Sequence, residues 1–201
     1  MLQLSARQTR WMGLCGVLGG MIWVSDLLYF MPNAPTSPAR GYVGLAYSLM
    51  LIVGLLGFWV QDRGRLGRVA TAGALLVLTS LVSFFLMLFL GTVLGVSGKT
   101  LLMNVMGLAF VFLLPPGFIL LSIGLRGATR VVPLVIVAGF LAWTFLPRLL
   151  APYYPSAAAW GGRGDSPLGV TFFLLVAVGL AFTGYSVFRD SARGTTPHQA
   201  R

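Results

Sequence analysis

The chain has 201 residues, of which 57% are hydrophobic and only 9% charged. A soluble domain carries about 25% charged residues, so these charges are too few to coat a globule, and lipid is read as the solvent for most of the surface. The balance of 14 Lys+Arg to 4 Asp+Glu would suggest nucleic acid in a soluble protein; here the basic residues fall in short breaks between apolar runs, where membrane topology signals sit, and nucleic acid is not expected as a partner.

Crossing a bilayer takes roughly 20 apolar residues, and six stretches qualify. The first, about 11–30, carries a GxxxG at Gly16–Gly20, the lone Cys15 and an embedded Asp26. It is too long for the apolar region of a signal peptide. After the proline-rich connector "MPNAPTSPARG" comes the second, 42–60, with Tyr47 in its outer half. The break "QDRGRLGR" leads to the third, 69–96, which is long enough to tilt. The fourth, 101–125, holds Asn104 and the run "FLLPPGFIL", and the turn "RGATR" joins it to the fifth, 131–150, with Arg148 near its outer end. The loop "APYYPSAAAWGGRGDSP" precedes the sixth, 168–188, and the tail 189–201 is polar and without periodicity, hence expected to be disordered.

Arginine placement orients these spans. One side receives ten basic residues, in the N-terminus, the second and fourth breaks and the tail; the other receives Arg40, Lys99, Arg148 and Arg163. The positive-inside rule then puts both termini in the cytoplasm, as an even number of spans requires. The expected fold is all-α: one polytopic membrane helix bundle of six transmembrane helices over residues 1–201, in the cell (inner or plasma) membrane. "RGRLGRV" and "RGATRV" are similar, but short Arg/Gly turns recur at cytoplasmic hairpins, and no internal repeat is inferred.

Several chemistries lack their residues. There is no Glu, and the one histidine, His198, lies in the tail. Haem ligation by His, zinc and di-iron sites need more than this. No GxSxG, HExxH or Walker pattern occurs. A single Cys forms no intrachain disulfide, and Cys15 has no base in its span to activate it. No catalytic residue, metal or cofactor is expected.

What remains is a set of polar groups in the outer halves of the spans: Asp26, Tyr29, Tyr47, Asn104 and Arg148. At 1.5 Å per residue Asp26 lies roughly 8 Å and Arg148 roughly 11 Å outward of mid-span, so the two could meet. Stepping back from Asp26 by three or four residues gives Trp23, Gly19, Gly16 and Met12, a face of small residues suited to close helix contact. Two readings follow. One is an outward-facing polar pocket, since ionisable groups inside a membrane mark functional sites; the other is a structural Asp–Arg ion pair. Pro115 and Pro116, followed by Gly117, remove two backbone donors near mid-membrane and predict a helix break, as at a transporter site, or an ordinary kink.

The "GRLGR"-type turns and Gly/Leu-rich helices make the chain resemble small multi-span membrane proteins of GC-rich bacteria; the resemblance implies no activity. Three functions stay open. The first is a non-enzymatic integral membrane protein, a subunit or accessory of a membrane assembly or a binder of a lipid-like ligand. Its partners would be the bilayer and other membrane subunits or a second copy. The second is a small transporter or channel using Asp26 and Arg148. The third is a membrane enzyme acting on lipid.

Overall fold

The structure, a computed structural model, describes residues 5–30, 38–97, 100–125, 128–154 and 166–192. All regular structure among them is helical. Helix α1 spans Ala6–Phe30. A run from Pro38 to Thr92 bends at Gly67 (φ 67°, ψ 174°) into two arms, α2 (Ala39–Asp62) and α3 (Leu66–Thr92). Helices α4 (Leu101–Gly124), α5 (Ala128–Leu150) and α6 (Pro167–Ala192) follow. Each of the six has the length and hydropathy to cross a membrane, so among the described residues the expectation of an all-helical chain with six span-length apolar helices holds. The tail from 193 and the loop 155–165 lie outside them.

Local chemistry sets the helix ends. Ser5 and Gln8 form a reciprocal capping box at the start of α1: the Ser5 amide donates to Gln8 Oε1 (2.8 Å) and the Gln8 amide to Ser5 Oγ (3.2 Å). Gly67 takes backbone angles that are essentially reserved for glycine, so the chain reverses with no unwound loop; Gly41 then lies against Thr92 and Gly44 against Leu88, making α2 and α3 an antiparallel pair. Helix α3 stops at Thr92 rather than at 96: Gly95 takes a left-handed conformation (φ 64°), and the Val96 amide folds back to donate to the Leu90 carbonyl (3.0 Å). Ser166 caps α6 through its Oγ, which accepts from the Gly169 amide (3.1 Å), and Pro167 follows at the first helical position.

Consecutive helices are neighbours in space, and α6 closes the set against α1. Gly13 backs onto Phe188, so the start of α1 and the end of α6 lie at one end of the bundle. One close crossing joins three helices through glycine: a Cβ on Gly16 of α1 would sit 3.0 Å from Gly184 Cα of α6 and 3.2 Å from Gly54 Cα of α2. In lipid, such backbone approach is the main source of helix association, because burying apolar surface gains little where the solvent is itself apolar. Helix α5 is the exception. Only 22% of its span is buried, against 50% for α2.

The Pro115–Pro116–Gly117 segment does not break α4, which stays helical from Leu101 to Gly124. Helix α3 supports it. A Cβ on Gly117 would lie 2.8 Å from Val77 Cγ2, and the buried Ser80 hydroxyl donates to the Phe110 carbonyl (2.7 Å). That bond falls one residue before the two carbonyls the prolines deprive of partners. The prolines are thus accommodated by a packed neighbour.

Candidate functional site

The end of the bundle opposite the start of α1 carries a buried carboxylate. Asp26 lies four residues before the end of α1, or ~6 Å at 1.5 Å per residue, and is 7% exposed. Its partner is Arg40, whose Nε donates to Asp26 Oδ1 at 3.1 Å. The ion pair predicted with Arg148 is therefore made with a different arginine. The physical reason is where α2 begins. The helical run that contains α2 starts at Pro38, and proline is favoured at a first helical position, so Arg40 belongs to the first helical turn. The antiparallel α1–α2 hairpin then sets that turn beside the last turns of α1.

Helix dipoles favour the arrangement. A carboxylate near the C-terminal end of α1 and a guanidinium near the N-terminal end of α2 each sit at the unfavourable pole of their own helix. Bringing them together across the hairpin puts each charge toward the favourable pole of the other. The arginine side chain keeps 26% exposure against 9% for the aspartate, as expected for a long side chain that reaches from the interface to a buried acid.

Beneath the ion pair lies a layer of aromatic rings. Trp23, one turn before Asp26, stacks on Tyr47 with ring centroids 5.5 Å apart and planes 8° from parallel. Phe84 of α3 stacks on Trp23 at 5.8 Å and on Phe110 of α4 at 4.6 Å. Phe173 of α6 joins Phe110 at 6.2 Å and Trp143 of α5 at 5.5 Å. All six helices contribute, and Trp23, Tyr47, Phe110 and Trp143 are each at most 5% exposed. Tyr47 thus has its ring in the packed core, seven residues along α2 from Arg40.

The other expected members of the site fall elsewhere. Asn104 is exposed in the first turn of α4, and Arg148 is exposed near the end of α5. The side chain of Tyr29 lies outside the described residues. Arg40 is the participant that sequence reasoning left in a connector; the signal was the proline two residues before it. Among the described residues no three metal-ligating side chains converge.

Comparison with protein families, with curated proteins and with solved structures finds no match to this chain. Function must therefore be argued from the geometry.

Proposed function

We propose that this chain is a non-enzymatic multi-pass protein of the cell membrane, with both termini cytoplasmic, that serves as a subunit or accessory of a membrane assembly or holds a lipid-like ligand. One observation carries this reading: the embedded carboxylate already has its counter-ion, since Asp26 is bonded to Arg40 at 3.1 Å. A charge pair closed on itself above a packed aromatic layer is what a hairpin clip requires. A general base awaiting substrate would need a free acceptor beside a reacting group. The glycine crossings add support, because their role is to hold helices together.

The test is to purify the protein gently in particles of native lipid and to weigh them by native mass spectrometry. A stoichiometric second polypeptide or a retained lipid supports the reading, and a bare monomer overturns it. The transport alternative draws on the partial exposure of Arg40, which leaves the pair reachable from the bundle mouth. Under that alternative Asp26→Asn abolishes flux in proteoliposomes while leaving the amount of folded protein unchanged.

A further inference from the structure

The Asp26–Arg40 pair is joined by one hydrogen bond, from Arg40 Nε to Asp26 Oδ1. A guanidinium is a planar fork of N–H donors and a carboxylate accepts through both oxygens, so this contact leaves most of each group unspent. Among the described residues nothing hydrogen-bonds to Arg40 Nη1 and Nη2 or to Asp26 Oδ2. Nor is Oδ2 sealed inside: the fully buried side-chain polar atoms without a partner are, among the described residues, Trp59 Nε1 and Gln61 Oε1.

Tyr47 supplies a third unspent group. The residue is 4% exposed and its ring is held against Trp23, yet its hydroxyl hydrogen-bonds to no described residue. A buried tyrosine ordinarily finds a partner for that group. Helical side chains lean toward the N-terminus of their helix, and the Tyr47 hydroxyl accordingly lies 3.8 Å from where a Cβ on Gly44 would sit, one turn nearer Arg40. It is within coulombic range of both Asp26 and Arg40. A phenol, a carboxylate oxygen and the outer edge of a guanidinium therefore converge at this end of the bundle, each with hydrogen-bonding capacity to spare.

We infer that this cluster binds the head group of a zwitterionic phospholipid with a primary ammonium, the phosphate on the free Nη edge of Arg40 and the ammonium on Asp26 Oδ2 and the Tyr47 oxygen. The charges decide the class. The pair is net neutral, so a lone anion would meet Asp26 and a lone cation would meet Arg40, whereas a ligand carrying both signs answers each. The Nη edge suits the paired oxygens of a phosphate, and a primary ammonium has N–H groups for both acceptors. The place decides the source. Arg40 is in the first turn of α2 and Asp26 is ~6 Å from the end of α1, which is head-group level for helices that span a bilayer. The inference rests on the lipid-binding branch of the proposed function and names the lipid class.

The experiment is native mass spectrometry of the delipidated full chain with equimolar phosphatidylethanolamine and phosphatidylcholine carrying the same acyl chains. The two lipids share the phosphate, but the choline ammonium has no N–H to donate. The expected result is one bound lipid with about a ten-fold preference for phosphatidylethanolamine, which is ~1.4 kcal/mol and near the lower end for hydrogen bonds to charged groups. Tyr47→Phe keeps the ring and should lower the preference about three-fold with the melting temperature unchanged, because the hydroxyl has no partner to lose. Asp26→Asn should bring the preference to parity. Equal binding of the two lipids by the wild type, or a preference left unchanged by either substitution, overturns the inference. Should Asp26→Asn fail to fold, Tyr47→Phe alone decides. Free glycerophosphoethanolamine at the lipid's concentration should leave the lipid bound; displacement would assign the cluster to a soluble zwitterion and overturn the lipid as its ligand. A stoichiometric partner polypeptide in native particles would uphold the proposed function even where this lipid preference fails, so the two can be told apart.

Discussion

Replacing Asp26 by asparagine keeps the side-chain shape and removes the charge, which isolates the ion pair. Two limits bracket the cost. Removing one partner of a fully buried pair costs about 3–5 kcal/mol, because a bare ion is left behind; an exposed pair contributes about 0–1 kcal/mol. Here the acid is 9% exposed and the arginine 26% exposed. Once unpaired, the guanidinium sits in the first turn of α2 and can retract to the interface, as long basic side chains do. Asp26→Asn should therefore cost about 2 kcal/mol, between those limits. The informative measurement is a double-mutant cycle of Asp26→Asn and Arg40→Gln, read by reversible unfolding in mixed micelles. A coupling of roughly 1–2 kcal/mol is expected for groups in contact, whereas distant sites add to within about 0.5 kcal/mol. A parallel cycle of Asp26→Asn with Arg148→Gln should be additive, since Arg148 is exposed near the end of α5. Additivity in the first cycle, or strong coupling in the second, would refute the assignment of the pair.

Two other substitutions test the frame. Gly54→Ala places a methyl group against the Gly16 backbone, where no side chain can move aside, so α1 and α2 must separate; a loss of about 1–3 kcal/mol is expected from overpacking, visible as a lower melting temperature in detergent. Gly67→Ala forces a side chain into a backbone region with φ 67° and ψ 174°, although open space surrounds it. A strain of about 1–3 kcal/mol should appear in the same assay, and an unchanged melting temperature would mean that the α2–α3 turn does not need this geometry.

The six span-length apolar helices were legible because length and hydropathy alone decide whether a helix can cross a bilayer. The inward face of α1 was legible too. Small residues at helical spacing single out the side on which Gly16 and Gly20 meet other helices. What sequence could not supply was azimuth. Depth arithmetic made Asp26 and Arg148 possible neighbours, but depth does not say which faces of α1 and α5 point at one another. Arg40 is closer in sequence, but the apolar run of the second span begins only at 42 and leaves it in the connector. A proline-rich stretch suggests loop, yet proline at the first helical position is itself a start signal. The Pro–Pro–Gly segment leaves break and kink both open in the sequence for a related reason. Counting lost donors identifies the weakened turn, but whether it breaks depends on a neighbouring helix, here α3, whose Ser80 bonds the Phe110 carbonyl.

Trp23 bears most directly on the choice between clip and conduit. It is 3% exposed and meets Tyr47, Phe84 and Phe173 at 5.5, 5.8 and 6.3 Å, so it links the ion-paired hairpin to α3 and α6. Truncating a buried tryptophan in a water-soluble core costs about 3–5 kcal/mol. Part of that is transfer out of water, which is weaker where the surroundings are lipid, so Trp23→Ala should cost roughly 2–3 kcal/mol, mainly lost packing contacts. Trp11, 57% exposed, is the control and should cost under about 1 kcal/mol, as surface substitutions do. The same two variants belong in proteoliposomes loaded with a proton-sensitive dye. If the aromatic layer is core, Trp23→Ala lowers stability and leaves the membrane as tight as the wild type does. If the rings close a conduction path, the truncation opens a leak out of proportion to its effect on stability. That leak would count against the non-enzymatic subunit in favour of the transporter, with Asp26 and Arg40 at the mouth of its path.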